Sequence, residues 1–373
     1  MKRIVMTGIT GLVGSAVAVS LLKKDKDINI VALVRGSANK NAFDRVKDTI
    51  IEQCTFDETP DFANEAFSRI KVFKSDISSL PLSSPAIESL NDISTIFHCA
   101  ASVNLGKDPY GTTYIDNYQG TKNMLALAKK LGVKSYHQVS TAYVAGKAEG
   151  TVYEDELIPN IEFNNSYEKS KYNAEKLVRN SGLAFTIYRP SIVVGRIRDG
   201  KIRKPLAFYK ILEFLGIVKK QQCSKHNILP SQELVINLRL QTKFSDKIYF
   251  VPIDYTQETI SNLFFLPPSN KTYHITGKGP ACLTDIEGAV CSALRVKGLK
   301  LTQILDAPTI KEKMVNRFLG DLLPYFSTDI TFDIKNVIAD TNSKNLDWKI
   351  DRTVLDKIVL EYYRNAHPEI LKE

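Results

Sequence analysis

The chain has 373 residues, 43% of them hydrophobic and 24% charged, enough for one large or two moderate domains with a sizeable core. It contains no run of about 18 apolar residues, which argues against a spanning helix, and its five cysteines (Cys54, Cys99, Cys223, Cys282, Cys291) form no C-x-x-C pair, as expected of reduced thiols in a cytoplasmic protein. The net charge of +9 favours acidic partners, phosphorylated cofactors and acidic carrier proteins among them; the dispersed basic residues carry no nucleic-acid recognition motif, and the histidines show no ligand spacing, so neither nucleic acid nor a metal is expected.

In chain order, KRIVMT (2–7) reads as a short strand. Lys2 and Arg3 before apolar residues resemble a signal peptide, but the glycines and immediate strand character argue against one. A Gly-rich turn leads into the helical pattern GSAVAVSLLKK. NIVALVRG is a nearly continuous apolar run, suited to a parallel strand covered on both faces. Then follow a helix NAFDRVKDTIIEQ, a loop from Cys54 to Ala66, a third strand IKVFKSDIS, a helical segment around Ile87 to Leu90 and a fourth strand STIFHCAA. NYQGTKNMLALAKKLG is a helix stopped by Gly132. SYHQVSTAYVAG is a fifth strand, YEKSKYNAEKLVRNSG a helix and AFTIYRPSIVVG a sixth strand.

This alternation predicts an α/β fold, a doubly wound parallel sheet with right-handed crossovers. After Gly195 the regularity fades. LAFYKILEFLGIVKK is apolar on most faces with basic ends. KIYFVPIDY and TYHIT read as strands returning to the sheet, and the tail from about Thr284 as mostly helical with a strand-like piece near Ile330. The expected division is a dinucleotide-binding domain over 1–195, rejoined by strands from about 246–276. A smaller, mostly helical substrate-binding region covers 196–245 and 277–373. No internal repeat or low-complexity linker is visible.

TGITGLVGSAV spaces Gly8, Gly11 and Gly14 between a strand and a helix. Glycines let the backbone approach a diphosphate, and the helix N-terminus offers free N–H groups and a positive dipole end. That context predicts dinucleotide binding. The second strand ends in LVRG, where Arg35 suits a 2′-phosphate and Lys40 and Arg45 could add charge; NADPH is favoured over NADH. The plainer alternative is a surface arginine. Asp76, ending the third strand, could accept from the adenine amine or cap a helix. Small residues Ala100, Ala101 and Ser102 would let a cofactor lie against the backbone, while His98 and Cys99 read as packing residues. NNSYEKSKYNAEKL puts Tyr167 four residues before Lys171, on one helix face; alone, such a pair could belong to a solvated helix.

With TGITGLVG, HCAASVN, NYQGTKNML, VSTAYVAG, YEKSK and YRPSIVVG in this order, the chain resembles the extended short-chain dehydrogenase/reductase superfamily, well over the first 195 residues and loosely beyond. The resemblance carries Tyr167 and Lys171 onto the Y-x-x-x-K pair, Thr141 onto the hydroxyl residue with Ser140 beside it, and Asn117 onto the asparagine of the fourth helix. Tyr118 replaces the usual valine. It implies cofactor contacts also at Thr10, Leu12, Val13, Ile77, Pro190, Ser191 and Val193. A phenol near pKa 10 is a poor acid–base group at neutral pH; a nearby ammonium and the positive nicotinamide ring would stabilise its phenolate. Lys171 can hold the nicotinamide ribose, and Thr141 can donate to a substrate carbonyl.

A narrower resemblance, in VALVRGSANKNAFDRV and in the run from SDISSLPL to DNYQGT, is to thioester reductases and fatty acyl-CoA reductases. It implies NADPH-dependent reduction of an acyl thioester to an aldehyde, and in a second round to the alcohol. Other readings stay open: a ketone or aldehyde reductase, a sugar-nucleotide epimerase or dehydratase, and a non-enzymatic NADP-binding protein. Arg35 and the Thr141–Tyr167–Lys171 set speak for a reductase. Pro205 to Lys220 could wall an acyl chain or be ordinary core. Lys201, Arg203, Lys204, Lys219 and Lys220 could meet coenzyme A phosphates or an acidic carrier protein acting in trans, or be a solvated face. The amphipathic 205–220 stretch also allows a peripheral membrane contact. A four-helix dimer seam of the kind some relatives form would make the protein an oligomer.

Overall fold

A parallel sheet carries the first half of the chain. The computed structural model describes residues 2–37, 39–79, 90, 92–241, 247–320, 323–326, 329–341 and 346–371. Strands β1 (Lys2–Thr7), β2 (Ile28–Val34), β3 (Ile70–Lys74), β4 (Ile93–His98) and β5 (Ser135–Val139) alternate with helices. After the short β6 (Gly150–Val152) come β7 (Phe185–Pro190), β8 (Ile192–Val194), β9 (Leu234–Gln241), β10 (Lys247–Ile248) and β11 (Phe250–Pro252). The last strands are β12 (Lys271–Ile275), β13 (Ala281–Cys282), β14 (Val296–Thr302) and β15 (Ile330–Phe332). Seven of these form one sheet in the order β12-β7-β5-β4-β1-β2-β3, all neighbours parallel. The chain winds outward in both directions from β1. The gap between β1 and β4 is therefore the switch point where open α/β sheets bind ligands.

The apolar runs of β1 and β2 follow from burial on both faces. Ile4 and Met6, with Ile28, Ile30, Ala32 and Val34, join one core cluster. The intervening Val5, Val31 and Leu33 join another on the opposite face, as the two-residue period of a strand requires. A third cluster gathers the later residues. It packs the helices Phe208–Lys225, Leu283–Leu294 and Arg352–Ala366 against the parallel pair β9–β14.

Several sequence expectations need correction. The stretch from Cys54 to Ala66 is not a loop. The helix Ala42–Phe56 runs through Cys54, burying Ile50, Gln53 and Cys54 at helical spacing, and a second helix, Phe62–Ser68, buries Ala63 and Ala66. The fifth strand stops at Val139 and passes into a 3-10 turn, Ala142–Ala145. The sixth splits at Ser191. Its second half, β8, pairs with β11 outside the main sheet, so of the later strands β12 rejoins that sheet and β10 and β11 do not. The region after Gly195 is less helical than expected: in β9 and β14, parallel partners, Leu234, Ile236, Leu238 and Leu240 turn inward between outward neighbours. Of the helical segment around Ile87 to Leu90, residues 87–89 lie outside the described residues.

No described helix is long and apolar enough to cross a membrane. Among the described residues no cluster of His, Cys, Asp or Glu could hold a metal ion, and the cysteines are free.

Candidate active site

The site is built where β1 ends. Thr7 is fully buried; its Oγ1 accepts hydrogen bonds from the backbone N–H groups of Cys99 (3.2 Å) and Ala100 (3.1 Å) and bonds His98 Nδ1 at 2.7 Å. The ends of β1 and β4 are thus tied together, and His98 is a packing residue also held by Thr121. The backbone then turns at Gly8 with φ +74, where a Cβ would lie 2.5 Å from the Ala100 nitrogen. At Gly14 a Cβ would lie 2.1 Å from the Gly8 carbonyl oxygen. Neither position admits a side chain. The helix Leu12–Lys24 starts from Gly11 with no side-chain cap, which leaves first-turn N–H groups available to an anion. This cradle fits a dinucleotide diphosphate.

Arg203 supports the cradle from outside. Its Nη2 donates to the Gly11 carbonyl (3.0 Å) and Ser15 Oγ (2.7 Å), and its Nε to Gln53 Oε1 (3.1 Å). The guanidinium is mostly buried and pairs with Glu52. Of the other basic residues flanking the apolar stretch, Lys219 is buried on the Leu294 carbonyl, Lys220 pairs with Glu369, and Lys204 lines the cavity below. They do not form one solvated face.

Beyond the cradle, Arg35 at the end of β2 is half-exposed and pairs with Asp116 at 3.5 Å. Arg45 donates to the Arg35 carbonyl. Lys40 pairs with Asp48 instead and stays out of the cavity. Asp76 accepts from the N–H and hydroxyl of Ser78 (3.0 and 2.8 Å), so it caps a local turn and not a helix.

Across the sheet, the helix Ser166–Arg179 starts from an Asn165 cap, whose side chain accepts from the Glu168 N–H. This orients its first turns so that Tyr167 and Lys171 reach the end of β5. Lys171 is 3% exposed, and its Nζ donates to the Val139 carbonyl at 2.7 Å. Burial pulls the ammonium down to about 8 and pushes the neighbouring Cys99 thiol up to about 12. Tyr167 hydrogen-bonds Thr141, yet burial dominates and raises its phenol well above the ordinary value. Burial thus works against the phenolate, opposite in sign to the lowering that the Lys171 ammonium and a positive nicotinamide ring would give. Two turns along the same helix, Glu175 accepts from Ser140 Oγ (2.9 Å) and is clamped by Arg179 and Arg189. The pair of guanidinium groups holds its carboxyl below the usual range despite burial.

These elements enclose a cavity of 520 Å³. Gly8, Thr10, Gly11, Leu12, Val13, Gly14, Arg35, Arg45, Asp76 and Ile77 line it, as do Ala100, Ala101, Ser102, Ser140, Thr141, Tyr167, Lys171, Pro190, Ser191 and Val193. Of the expected catalytic and cofactor residues only Asn117 and Lys40 are outside its wall. Asn117 lies behind the wall: its Oδ1 accepts from the Ser102 N–H (2.7 Å), and its Nδ2 donates to the Ser102 carbonyl (3.0 Å) and Ser170 Oγ (2.8 Å). It fastens the loop after β4 to the helix bearing Tyr167 and Lys171.

The wall also contains Leu105, Tyr143 and Tyr325, which the sequence did not mark, and Leu206, Phe208 and Ile211 from the 205–220 stretch. All but Leu206 belong to or pack within the third core cluster, as Tyr167 does. This end of the cavity is apolar. Tyr143 follows Thr141 by two residues, within reach of the motif; Tyr325 carries no local signal.

The profile of an NAD-binding family described as "Male sterility protein" matches residues 6–260. Fatty acyl-CoA reductase 1 of Gallus gallus is 30% identical over 229 residues, 52% of this chain and 43% of that protein. The non-canonical nonribosomal peptide synthetase FrzA of a Cladobotryum species is 25% identical over 301 residues, 77% of this chain and 27% of that protein. The chain thus spans less than half the length of either. The crystal structure of the terminal R domain from the myxalamid PKS-NRPS biosynthetic pathway superimposes with a TM-score of 0.73 at 23% identity, covering 97% of this chain and 90% of that one.

Proposed function

Because the chain belongs to the male sterility protein family of extended short-chain dehydrogenases/reductases, and is a nicotinamide-dependent oxidoreductase, we propose that it reduces an acyl thioester to the aldehyde with NADPH. The acyl group would arrive on coenzyme A or on a carrier protein. The observation that carries this reading is a single cavity joining three parts: the glycine cradle, the Thr141–Tyr167–Lys171 group and the apolar wall of Leu105, Leu206, Phe208 and Ile211. A fatty acyl-CoA reductase and a nonribosomal peptide synthetase among the relatives support it.

The cradle around Gly8, Gly11 and Gly14 would hold the diphosphate, Arg35 and Arg45 a 2′-phosphate, and Lys171 the nicotinamide ribose. A reduced nicotinamide supplies the hydride when bound. Thr141 and Tyr167 would hold the thioester carbonyl oxygen between their hydroxyls, polarising its carbon. Tyr167 keeps its proton across the neutral range because burial raises its pKa, so it is loaded as the donor to the developing alkoxide. Lys171, charged below about 8, lies one helical turn from Tyr167, where its ammonium would hold the nicotinamide ribose. The hemithioacetal formed on the substrate then expels the thiol and leaves the aldehyde.

The test is NADPH oxidation with acyl-CoAs of rising chain length, run beside NADH and beside Tyr167→Phe. Turnover with NADPH that vanishes in the variant supports the reading. No turnover with any acyl-CoA, despite tight NADPH binding, rules out coenzyme A as the acyl donor and leaves a carrier-bound acyl group or a ketone; no turnover with carrier-bound acyl groups either overturns the reading in favour of ketone substrates.

A further inference from the structure

Two carboxylates line the cavity among the described residues, Asp76 and Asp116. Asp76 is committed to the N–H and hydroxyl of Ser78. Asp116 stands on the helix Thr112–Lys130, and its Oδ2 lies 3.5 Å from Nη1 of Arg35, the guanidinium read above as a 2′-phosphate contact. Its side chain is 31% exposed and that of Arg35 58%, so both are accessible in the cavity wall and the pair between them is weak. The next residue, Asn117, is buried and bonded to Ser102 and Ser170; Asp116 makes its contact with the cofactor side instead.

A carboxylate at this point works against a phosphate. The 2′-phosphate carries about 1.5 to 2 negative charges at pH 7. Two anions that share one guanidinium stand within about 8 Å of each other, the screening length at physiological salt, so dissolved ions do not remove their repulsion. Asp116 also holds the guanidinium in the free protein, and a phosphate has to take it over. A ribose 2′-hydroxyl in the same place brings no charge and can donate to a carboxylate.

We infer that Asp116 is a specificity-determining residue, which opposes the 2′-phosphate and so limits the preference for NADPH that Arg35 and Arg45 create. This rests on the reading of those two arginines as the phosphate contacts and deepens it. The ratio of NADPH to NADH affinity is then a balance of two cations against one carboxylate. The three charges come from three elements: the end of β2, the helix Ala42–Phe56 and the helix Thr112–Lys130.

The experiment is Asp116→Asn in the full chain, which keeps the shape of the side chain and removes its charge. NADPH and NADH affinities are measured by fluorescence titration at low and high salt, beside Arg35→Ala. The expected result is NADPH binding about 3- to 10-fold tighter, NADH binding equal or weaker, and a gain for NADPH that shrinks at high salt. Unchanged NADPH binding overturns the inference. Weaker NADPH binding overturns it as well, since Asp116 would then be holding Arg35 in place for the phosphate. Equal gains for both cofactors also overturn it, because the carboxylate would then act on the diphosphate that they share. Arg35→Ala separates this inference from the reading beneath it. If that variant weakens NADPH alone while Asp116→Asn changes nothing, the phosphate contact stands and the role of Asp116 falls. If it weakens both cofactors equally, the phosphate contact falls and the inference with it.

Discussion

Glu175→Gln tests whether the active-site helix is anchored by charge. Glu175 and Arg189 are both fully buried, 2.6 Å apart, and Arg179 closes the other side at 2.9 Å. Arg189's remaining partners are neutral: the carbonyls of Tyr153, Glu154 and Glu156, and His274 Nε2. The amide leaves a buried guanidinium without a counter-charge and turns an N–H donor toward other donors. Breaking a buried pair from one side destabilises by about 3–5 kcal/mol. Unfolding entropy near 2.1 cal/mol/K per residue over 373 residues amounts to roughly 0.8 kcal/mol per kelvin, so the melting temperature should fall by about 5 °C. Because the folded Glu175 carboxyl titrates below its unfolded value, its contribution is present above the unfolded pKa and is lost as pH falls through the folded one. The gap between variant and wild type should therefore narrow in acid. Thermal unfolding followed by circular dichroism across pH measures both. A double change, Glu175→Leu with Arg189→Met, should recover at least half of the loss, since apolar replacement of a buried pair is often neutral. A fall of less than 1 °C (roughly 1 kcal/mol) for Glu175→Gln would refute the reasoning.

Gly14→Ala places a methyl 2.1 Å from the Gly8 carbonyl oxygen; NADPH affinity, read by fluorescence titration, should fall by at least about 10-fold. Arg35→Ala should weaken NADPH binding about 10-fold and leave NADH binding unchanged, the low end for a charge-assisted bond because Arg35 is half-exposed; equal losses for both cofactors would sink the 2′-phosphate role. Lys171 titrates near 8 when folded and about 10.4 when unfolded. Between those values the unfolded chain binds more protons, so wild-type stability should rise with pH relative to Lys171→Met; denaturation midpoints at pH 7 and pH 10 that differ equally for both proteins would contradict it.

What could be read in the sequence is what lies within one turn or one strand. The cradle occupies seven consecutive positions, and the Tyr167–Lys171 pair spans one helical turn, so spacing alone carried their geometry. β9 is legible too: the alternation in LVINLRLQ is a two-residue period, masked by neighbouring segments that read as helical. Asn117 is different. Its type and position mark it, but its hydrogen bonds run to Ser102 and to Ser170, 15 and 53 residues away, and no local pattern says that it faces the loop and not the cavity. Arg203 reaches Gly11 across 192 residues, and Tyr325 reaches Asn165 across 160. These distant contacts determine the cavity's shape. The dinucleotide end is assembled from neighbours in sequence and is therefore recognisable in any chain that carries the motif. The substrate end is assembled by Leu105, Tyr143, Phe208 and Tyr325, which meet only after the later part of the chain has packed onto the sheet. Recognition of the cofactor class is thus a local property of this chain, and the shape of the apolar end a tertiary one.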